Sequence, residues 1–452
     1  MKMQKNILLI VALVFVQLSL NAQQELGTHF MQGTWQSGYT NPALTPDSKI
    51  TLSLPGFYNN LAISNITFND LIVKDGSGNT TLDINGAIDK MDDQNLLRED
   101  FSLETLGLGL KFGKLYLSLN HSLKFKAHMD YPKTLPQLIW QGNAQFIGES
   151  VEFGPDLEFS AWHHYAIGAG FDITKNITIG GRVKFLSGIA HVSTERHDLT
   201  LTTSDDIYQL ELDADLLVNA SSSLQFEDFE NYSFSFDPAG TGFENLFSKN
   251  KGMAFDVGIS AQFGKIDVAA SVLDIGKINW ENEVNNYSVQ GVYEYQGLEV
   301  AQDIFEDSTE IGSIIDTLKA TYEPVTTNNA FTTALPTQFY LSAGYQLTEN
   351  LHLGALFYSE SFKDTSYPAF AIAGNYQLSG LLKVGAVYAI RNQRFDNLGL
   401  NAVVKLGPVQ LIAMTDNLLT VFNPANSHSA NVRLGMNLVF GKDKEKGGVD
   451  FY

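Results

Sequence analysis

The chain of 452 residues contains no cysteine. Disulfides, thiolate metal sites and cysteine nucleophiles are therefore excluded. Basic residues are also scarce, with 29 Lys and Arg against 50 Asp and Glu, so the formal net charge is −21. Binding to nucleic acid by general basicity needs a positive surplus that displaces counterions from phosphates, and this chain has none. Charged residues of both signs make up only 17% of the chain, below the roughly 25% of ordinary soluble domains.

Only one long apolar run is present, and it lies at the N-terminus. Lys2 and Lys5 precede the run Ile7–Leu20, and the small residue Ala22 follows it. A positive start, an apolar run of about 14 residues and a small residue at the cut predict a secretory signal peptide over residues 1–22. A transmembrane anchor is the alternative, but the run is short of the ~20 residues that a spanning helix needs. An exported chain without helical spans is either soluble outside the inner membrane or a barrel in the outer one.

Apolar and polar residues alternate along most of the remaining chain. The pattern is clearest in Lys114–Met129, Met253–Phe263, Phe339–Leu347 and Val432–Phe440. Because successive side chains of a strand point to opposite faces, each segment predicts a strand with one apolar and one polar face. A soluble β-sandwich also alternates, but its strands are usually shorter and fewer. The pattern therefore predicts an all-β fold, a transmembrane antiparallel β-barrel.

Short turns indicate how many strands the barrel has. Six tight connections containing Gly or Asn join pairs of strands, and such residues supply the positive φ that short hairpins require. With a first and a last strand added, the count is fourteen, an even number as in single-chain bacterial barrels. The predicted strands begin near Lys49, Leu103, Lys114, Glu158, Ile177, Met253, Lys265, Pro336, Leu351, Ala369, Leu382, Asn397, Val409 and Ala430. The barrel then spans residues 49–441, and a polar C-terminal tail covers 442–452.

Long outer loops are expected between the hairpins. Thr203–Gly252 and Glu281–Glu323 each contain ten acidic residues. Such runs usually form a solvated surface; binding of cations or of a basic partner is the sharper alternative. Neither segment contains a spaced calcium loop. Asp89–Asp100 is expected to form a short helix in the first outer loop.

Three short motifs carry a resemblance to known barrels. Asn41-Pro42-Ala43, just before the first predicted strand, resembles the signature of FadL-type fourteen-stranded transporters of long-chain fatty acids, and that of PorV-type barrels of the type IX secretion apparatus. With Val272–Trp280 and Thr415–Leu419, the chain is most similar to an uncharacterised barrel family of Bacteroidota outer membranes, distantly similar to FadL. The resemblance implies a multi-pass β-barrel in the outer membrane of a Gram-negative cell. It also implies that residues 23–48 enter the lumen as a plug, and it supplies no catalytic residue and no cofactor.

The role of the Asn-Pro-Ala motif is open at this stage. Pro42 fixes its own φ and favours an extended conformation at Asn41. Asn41, Pro42 and Ala43 are therefore candidate residues for contact between the plug and a ligand or the lumen backbone. A structural bend before the first strand is the alternative.

Two adjacent histidines are the candidates for catalytic chemistry. His163 and His164 lie near Ser160 and Glu158 in a predicted strand. A serine hydrolase needs Ser, His and an orienting acid to converge, and adjacent histidines of a strand point to opposite faces. We therefore expect no enzyme, and lining of the lumen or the membrane interface is the preferred interpretation. No metal-ligand spacing and no nucleotide-binding loop is found, so no metal or cofactor is expected.

Lumen-facing charges and wall glycines complete the predicted site. The charged residues are expected to pair with one another or with the plug, and they are Lys124, Lys126, Arg182, Lys184, Asp256, Lys383, Lys405 and Arg433. Gly168, Gly170, Gly180 and Gly181 lie on two neighbouring strands. Since glycine weakens strand pairing, they mark a candidate opening in the wall; making room for bulky lumen side chains is the alternative.

Two functions remain open on the sequence. The first is transport of a hydrophobic or amphipathic small molecule with sideways release, as in FadL-like barrels. The second is a non-transporting scaffold for a surface or secretion partner, as in PorV-type barrels. An apolar lumen pocket over the plug would favour transport, and a closed polar lumen with ordered acidic loops would favour the scaffold.

Overall fold

Fourteen antiparallel strands close into a single β-barrel. The computed structural model describes residues 26–74, 80–205, 209–222, 224–226, 232–234, 246–296, 325–363, 365–391 and 394–442. The wall strands are β1 (Ser48–Ile63), β2 (Gln94–Phe112), β3 (Leu115–Pro132), β4 (Asp156–Asp172), β5 (Ile177–Thr203), β6 (Lys251–Phe263), β7 (Ile266–Trp280), β8 (Thr337–Gln346), β9 (Leu351–Phe362), β10 (Thr365–Ser379), β11 (Leu382–Arg391), β12 (Arg394–Leu406), β13 (Val409–Thr415) and β14 (Ser429–Lys442). Each pairs with its neighbour in sequence, and β14 pairs with β1. The predicted fold class and strand count are confirmed.

Six tight turns lie at one end of the barrel, here called the turn end; the opposite end is the loop end. Gly113, Gly264 and Gly407 have φ values of 55°, 62° and 60° at these turns. Glycine reaches this left-handed region without the steric cost that a Cβ would add. Three of the six turns therefore have the positive φ that was predicted, whereas Asn176, Asn350 and Gly380 at the other three do not.

One predicted element is wrong. Asp89–Asp100 was expected to be helical, but the helix covers Ile84–Lys90 and strand β2 begins at Gln94. The helix begins where the Asp83 carboxylate accepts a hydrogen bond from the backbone N–H of Gly86. The chain after it stays extended because β1 and β3 both reach this level and offer ladder partners on both sides.

The apolar face of the strands points outward, as predicted. Leu117, Val257 and Leu434 are 41%, 52% and 42% exposed. Their neighbours Ser118, Gly258 and Gly435 have the opposite orientation, and the space beside them is occupied by residues inside the barrel. The wall therefore has an apolar outer band and a polar inner surface, which is the pattern of barrels that cross an outer membrane.

At the loop end, the wall extends into a smaller sheet. The outer part of β5 pairs with the strand Gln209–Ser221, which pairs with Val284–Gln296, which in turn pairs with Val325–Thr327. The strands Glu149–Glu152 and Phe331–Ala334 pair with β5 and β7 respectively. Parts of the two acidic segments that were expected to be loops therefore form strands.

The remaining elements are short. Two small hairpins pair Ile72–Lys74 with Thr80–Leu82 and Leu224–Phe226 with Tyr232–Phe234. In the described part of the chain, the helices are α1 (Leu26–His29), α2 (Ile84–Lys90), α3 (Thr134–Gln141) and α4 (Leu418–Phe422), and the 3-10 turns are Gln36–Tyr39, Phe68–Asp70, Ala144–Phe146 and Pro424–Asn426. Within the described residues, no helix is long and apolar enough to cross a membrane. The predicted signal peptide and residues 443–452 of the predicted tail lie outside the described residues.

Candidate functional site

Residues 26–47, here called the N-terminal segment, lie against the inner surface of the wall. Most of their side chains are buried. Inward-facing residues of eight strands form hydrogen bonds with the segment, and they are Glu104, Arg182, Ser260, Ser271, Ser342, Asn375, Lys383 and Asn437. Because these strands are distributed around the whole ring, the segment crosses the lumen and contacts the wall on several sides.

His29 shows how closely the segment fits the wall. Its ring nitrogens lie 2.9 Å from the Thr40 hydroxyl and 2.8 Å from the Ser342 hydroxyl, and the ring stacks on Tyr340. Burial lowers the pKa of His29 to about 4, more than the nearby Asp267 carboxylate raises it. The ring is therefore neutral near pH 7, and it ties the segment to β8 through hydrogen bonds and stacking rather than through charge.

The Asn-Pro-Ala motif lies where the segment meets β6 and β7. The Asn41 side-chain amide donates to the carbonyl oxygens of Ile259 and Ala270 at 3.2 and 3.1 Å. Its own oxygen accepts from the Ala43 N–H at 2.8 Å. A carbonyl oxygen has two lone pairs, so each can accept from Asn41 and from the strand ladder. Asn41 thus fastens the segment to the wall backbone, while Ala43 completes the turn.

Two glycines of the wall, Gly180 and Gly258, face the same motif. A Cβ added to Gly180 would come within 3.0 Å of the Pro42 carbonyl group, and one added to Gly258 would come equally close to the Asn41 side chain. A Cβ on Gly170 would meet the Thr45 methyl group at 3.0 Å. Close approach of backbone to backbone is the usual reason for glycine at such positions. The structure gives these glycines a packing role.

Pairing of β4 with β5 continues past the glycines. The two strands keep one register from Trp162 opposite Gly188 to Asp172 opposite Thr178. Gly168 and Gly180 face inward in this stretch, whereas Gly181 has only a backbone oxygen at 3.7 Å near the position of its Cβ. An opening in the wall at these glycines stays a prediction.

We expect Asn41→Asp to loosen the N-terminal segment. A carboxylate would place a negative oxygen where the amide now donates to two carbonyl oxygens. Two hydrogen bonds at ~0.5–1.5 kcal/mol each would be lost, and repulsion would be added. Limited proteolysis of the detergent-purified barrel should then cut the segment faster than in wild type. Asn69→Asp, in the outer 3-10 turn Phe68–Asp70, is the matched control and should leave the rate unchanged.

Above the segment, towards the loop end, lies a cavity of about 120 Å³. Tyr39 and Thr40 of the segment border it, and the wall provides the rest of the lining. The part that β3, β4 and β5 contribute is basic: four of its described lining residues are Lys124, Lys126, Arg182 and Lys184, and none is acidic. We call these four residues the basic wall.

Comparison with known families assigns the chain. The model of the family of unknown function DUF5723 matches residues 42–416. The chain belongs to the DUF5723 family. No curated protein matches the sequence.

Solved structures of similar shape are known for other barrels. A FadL homologue of Pseudomonas aeruginosa is 10% identical, with 93% of this chain and 99% of that one covered at a TM-score of 0.43. The toluene transporter TbuX of Ralstonia pickettii is 9% identical, with coverages of 91% and 97% and a TM-score of 0.45. The toluene transporter TodX of Pseudomonas putida is 8% identical, with coverages of 94% and 98% and a TM-score of 0.39. At these identities and scores, no ligand of the DUF5723 chain follows from the likeness.

Acidic partners of the basic wall lie on the neighbouring strands. The Lys184 ammonium lies 2.7 Å from Asp256 and 2.6 Å from Asp274, and Arg182 lies 3.5 Å from Asp256. Asp274 has a φ of 59° at a bulge where β6 and β7 shift register. The bulge turns the Asp274 carboxylate towards Lys184. This ion pair is a structural role for the Val272–Trp280 motif of this DUF5723 chain.

Aromatic rings also line the cavity. The Arg433 guanidinium lies 5.1 Å from the ring centres of both Tyr39 and Tyr58. Trp162 and Tyr340 also border the cavity. The space therefore offers cations, the carboxylates of Asp100, Glu104 and Asp274, and several ring faces, so it is amphipathic rather than apolar.

The third motif contacts the start of the N-terminal segment. Asp416, in Thr415–Leu419, accepts hydrogen bonds from the backbone N–H groups of Leu26 and Gly27 at 3.2 and 2.9 Å. A carboxylate satisfies N–H groups that the first turn of a helix leaves without an intrahelical partner. The chain between β13 and β14 is thereby linked to the segment inside the lumen.

The structure separates the histidines considered as catalytic. His164 lines the cavity, whereas His163 lies on the other face of β4, 3.1 Å from His121. Ser160 contacts neither of them; its hydroxyl lies 2.7 Å from His191. The other nitrogen of His191 contacts the Ser193 hydroxyl at 2.9 Å, where a hydrolase would place an orienting acid. These contacts describe a buried polar network rather than a catalytic triad.

Proposed function

We propose that this DUF5723 barrel imports an amphipathic small molecule with an anionic head group across the outer membrane. The cavity over the N-terminal segment carries the proposal. Its basic wall can hold carboxylate or phosphate oxygens through charge-assisted hydrogen bonds, and its aromatic rings can cover the apolar part of the same molecule. A purely hydrophobic ligand fits less well, since it would displace water from the polar ends of the basic wall without forming hydrogen bonds to them.

In this proposal, the N-terminal segment is the plug of the lumen. It forms the floor of the cavity and bonds to eight strands, so a solute cannot pass straight along the barrel axis while the segment is in place. Either the segment moves or the ligand leaves sideways. The described contacts combine hydrogen bonds with apolar packing of Leu26, Phe30 and Met31 against the wall, so movement of the segment would have to break both.

Two smaller cavities support a route along β2–β5. One, nearer the loop end, shares Asp100, Lys126 and Trp162 with the main cavity. The other shares Tyr39 and Arg182 with it and reaches the wall glycines Gly168 and Gly181. We propose that the three cavities form the ligand path, and that its exit is at these glycines.

The proposed location is the outer membrane of a Gram-negative cell. The outward apolar band, the even strand number and the predicted signal peptide support it. The mature protein should fractionate with outer membranes and migrate differently on gels before and after boiling. Recovery in the soluble periplasm would contradict the location.

Uptake into liposomes tests the function. We expect oleate and dodecyl phosphate to enter liposomes that contain the wild-type barrel, and dodecanol, which has no anionic head, to enter no faster than into empty liposomes. Lys124→Gln should weaken binding of oleate by about tenfold or more, since a charge-assisted hydrogen bond contributes ~1.5–3 kcal/mol. Lys114→Gln, at an exposed turn, is the matched control and should bind oleate as wild type does.

Two results would overturn the proposal. One is equal uptake of all three probes with and without the barrel. The other is purified wild-type protein that carries no lipid but a stoichiometric protein partner, which would assign the chain to the scaffold class instead.

A further inference from the structure

A quartet of charged side chains crosses the lumen near the loop end. Arg98 of β2 lies 2.8 Å from Asp100 of the same strand and 2.7 Å from Glu360 of β9. Lys126 of β3 lies 3.1 Å from Asp100 and 3.8 Å from Glu360. In a closed ring of fourteen strands, β2 and β9 are seven positions apart in either direction. The Arg98–Glu360 ion pair therefore joins opposite sides of the barrel.

Other contacts from the same hairpin cross at this level. The Phe362 ring, at the end of β9, lies 5.2 Å from His128 of β3. Tyr367 of β10 lies 6.5 Å from the same histidine. Lys363, between the two strands, forms an ion pair with Asp156 of β4. The loop end of the β9–β10 hairpin thus leans across the lumen onto β2, β3 and β4.

The charges of the quartet balance, and three of its members are buried while Lys126 is partly exposed. Arg98 is 3% exposed and Glu360 is 0% exposed. Two cations and two carboxylates lie together, which is the arrangement that makes buried charge tolerable, whereas removal of one partner leaves an uncompensated charge. Arg98 borders the small cavity nearer the loop end, and Asp100 and Lys126 border both that cavity and the main one. The quartet lies at the junction between the two cavities.

We propose that the β9–β10 hairpin is an outer gate, locked by the Arg98–Glu360 pair and opened by an arriving anion. The inference rests on the proposed function, because it assigns regulation to the same ligand path. Carboxylate or phosphate oxygens of a ligand can take the place of Glu360 on Arg98 and Lys126. Glu360 then loses its partners across the lumen, and the hairpin is released. The N-terminal segment below and this gate above enclose the main cavity between them.

Labelling of a single cysteine tests the gate. Ser122 lines the main cavity and is 3% exposed. Because the chain contains no cysteine, a cysteine at this position would be its only thiol. The full-length protein with Ser122→Cys is treated in whole cells with two membrane-impermeant methanethiosulfonates, one carrying a sulfonate and one a quaternary ammonium. The second substitutions are Glu360→Gln, Arg98→Gln and, as matched control, Lys90→Gln. The control removes an ion pair with Asp70 in which the lysine side chain is 57% exposed.

Both gate variants should speed labelling, each with its own charge preference. Glu360→Gln leaves two cations and one acid, so the sulfonate reagent should react about tenfold faster or more. Arg98→Gln leaves two acids and one cation, so the ammonium reagent should gain most. The control should react as Ser122→Cys alone does, and the heat-dependent gel shift should show that every variant is assembled.

The outcomes separate the gate from the proposed function. Unchanged labelling in both gate variants, or equal acceleration of both reagents in both variants, would overturn the gate, since the second pattern reports general loosening. If the charge-selective acceleration appears but no amphiphile is taken up, the gate stands and the transport proposal falls. If oleate uptake continues while labelling is unchanged, transport stands and the gate falls.

Discussion

Gly180→Val should expel the N-terminal segment from its place in the lumen. Its Cβ would come within 3.0 Å of the carbonyl carbon and oxygen of Pro42 and of the Ala43 nitrogen. These are backbone atoms, which cannot rotate away as the end of a flexible side chain can. Two further methyl groups add to the overlap, and overpacking of this kind typically costs ~1–3 kcal/mol. Because Asn41 is bonded to the wall beside this point, the segment has to shift as a unit.

Labelling of a buried position in the segment provides the measurement. Ser37 is 0% exposed, so Ser37→Cys should react slowly with a polar maleimide in the wild-type background and much faster beside Gly180→Val. Gly181→Val is the matched control on the next residue, where the nearest atom to an added Cβ lies at 3.7 Å. Equal labelling in the two valine variants would show that the segment is not held against β5. A faster rate in the Gly180 variant alone would support the packing role of the wall glycines.

The wall strands were predictable because each one carries its own signal. Alternation at positions such as Val257 and Gly258 is imposed by lipid on one side and the lumen on the other, whichever strands lie beside it. The alternation of apolar and polar residues ends where the strands extend past the apolar outer band towards the loop end. Gln94–Asp100 has polar residues on both faces, so its extended conformation depends on pairing with β1 and β3 rather than on any local pattern.

The site was predictable only in part. Asn41 could be identified from the sequence as a motif residue. Its partners are the backbone carbonyl groups of Ile259 and Ala270, and these could not be predicted because every residue has a backbone carbonyl group. Arg98 and Glu360 lie on opposite strands of the ring and far apart in the chain, so no spacing rule joins them. Gly180 was noted as a weak point in pairing, whereas the structure gives it a neighbour inside the barrel. These contacts form only when the barrel closes. They can therefore be identified from the structure but not from the spacing of residues in the sequence.

Val257→Arg should impair assembly far more than an arginine on the inner surface of the wall. Val257 is 52% exposed on the outer face of β6, within the apolar band. A charge on the lipid face of such a barrel costs ~2–4 kcal/mol at the midplane of the membrane and less near its edges. Leu117→Arg and Leu434→Arg should behave alike, since both residues have the same orientation on β3 and β14.

The matched inner position is Ser118, the neighbour of Leu117. It borders a cavity beside Arg182 and Asn120, so an arginine there meets polar groups and water instead of lipid. Gly258 and Gly435 are unsuitable as inner controls, because a Cβ on either would come within 3.0 Å of a side chain of the N-terminal segment. Urea titration of barrels refolded into lipid vesicles, read by the heat-dependent gel shift, gives the free energy of unfolding for each variant. Equal losses for Leu117→Arg and Ser118→Arg would show that the two faces of β3 have been assigned the wrong way round.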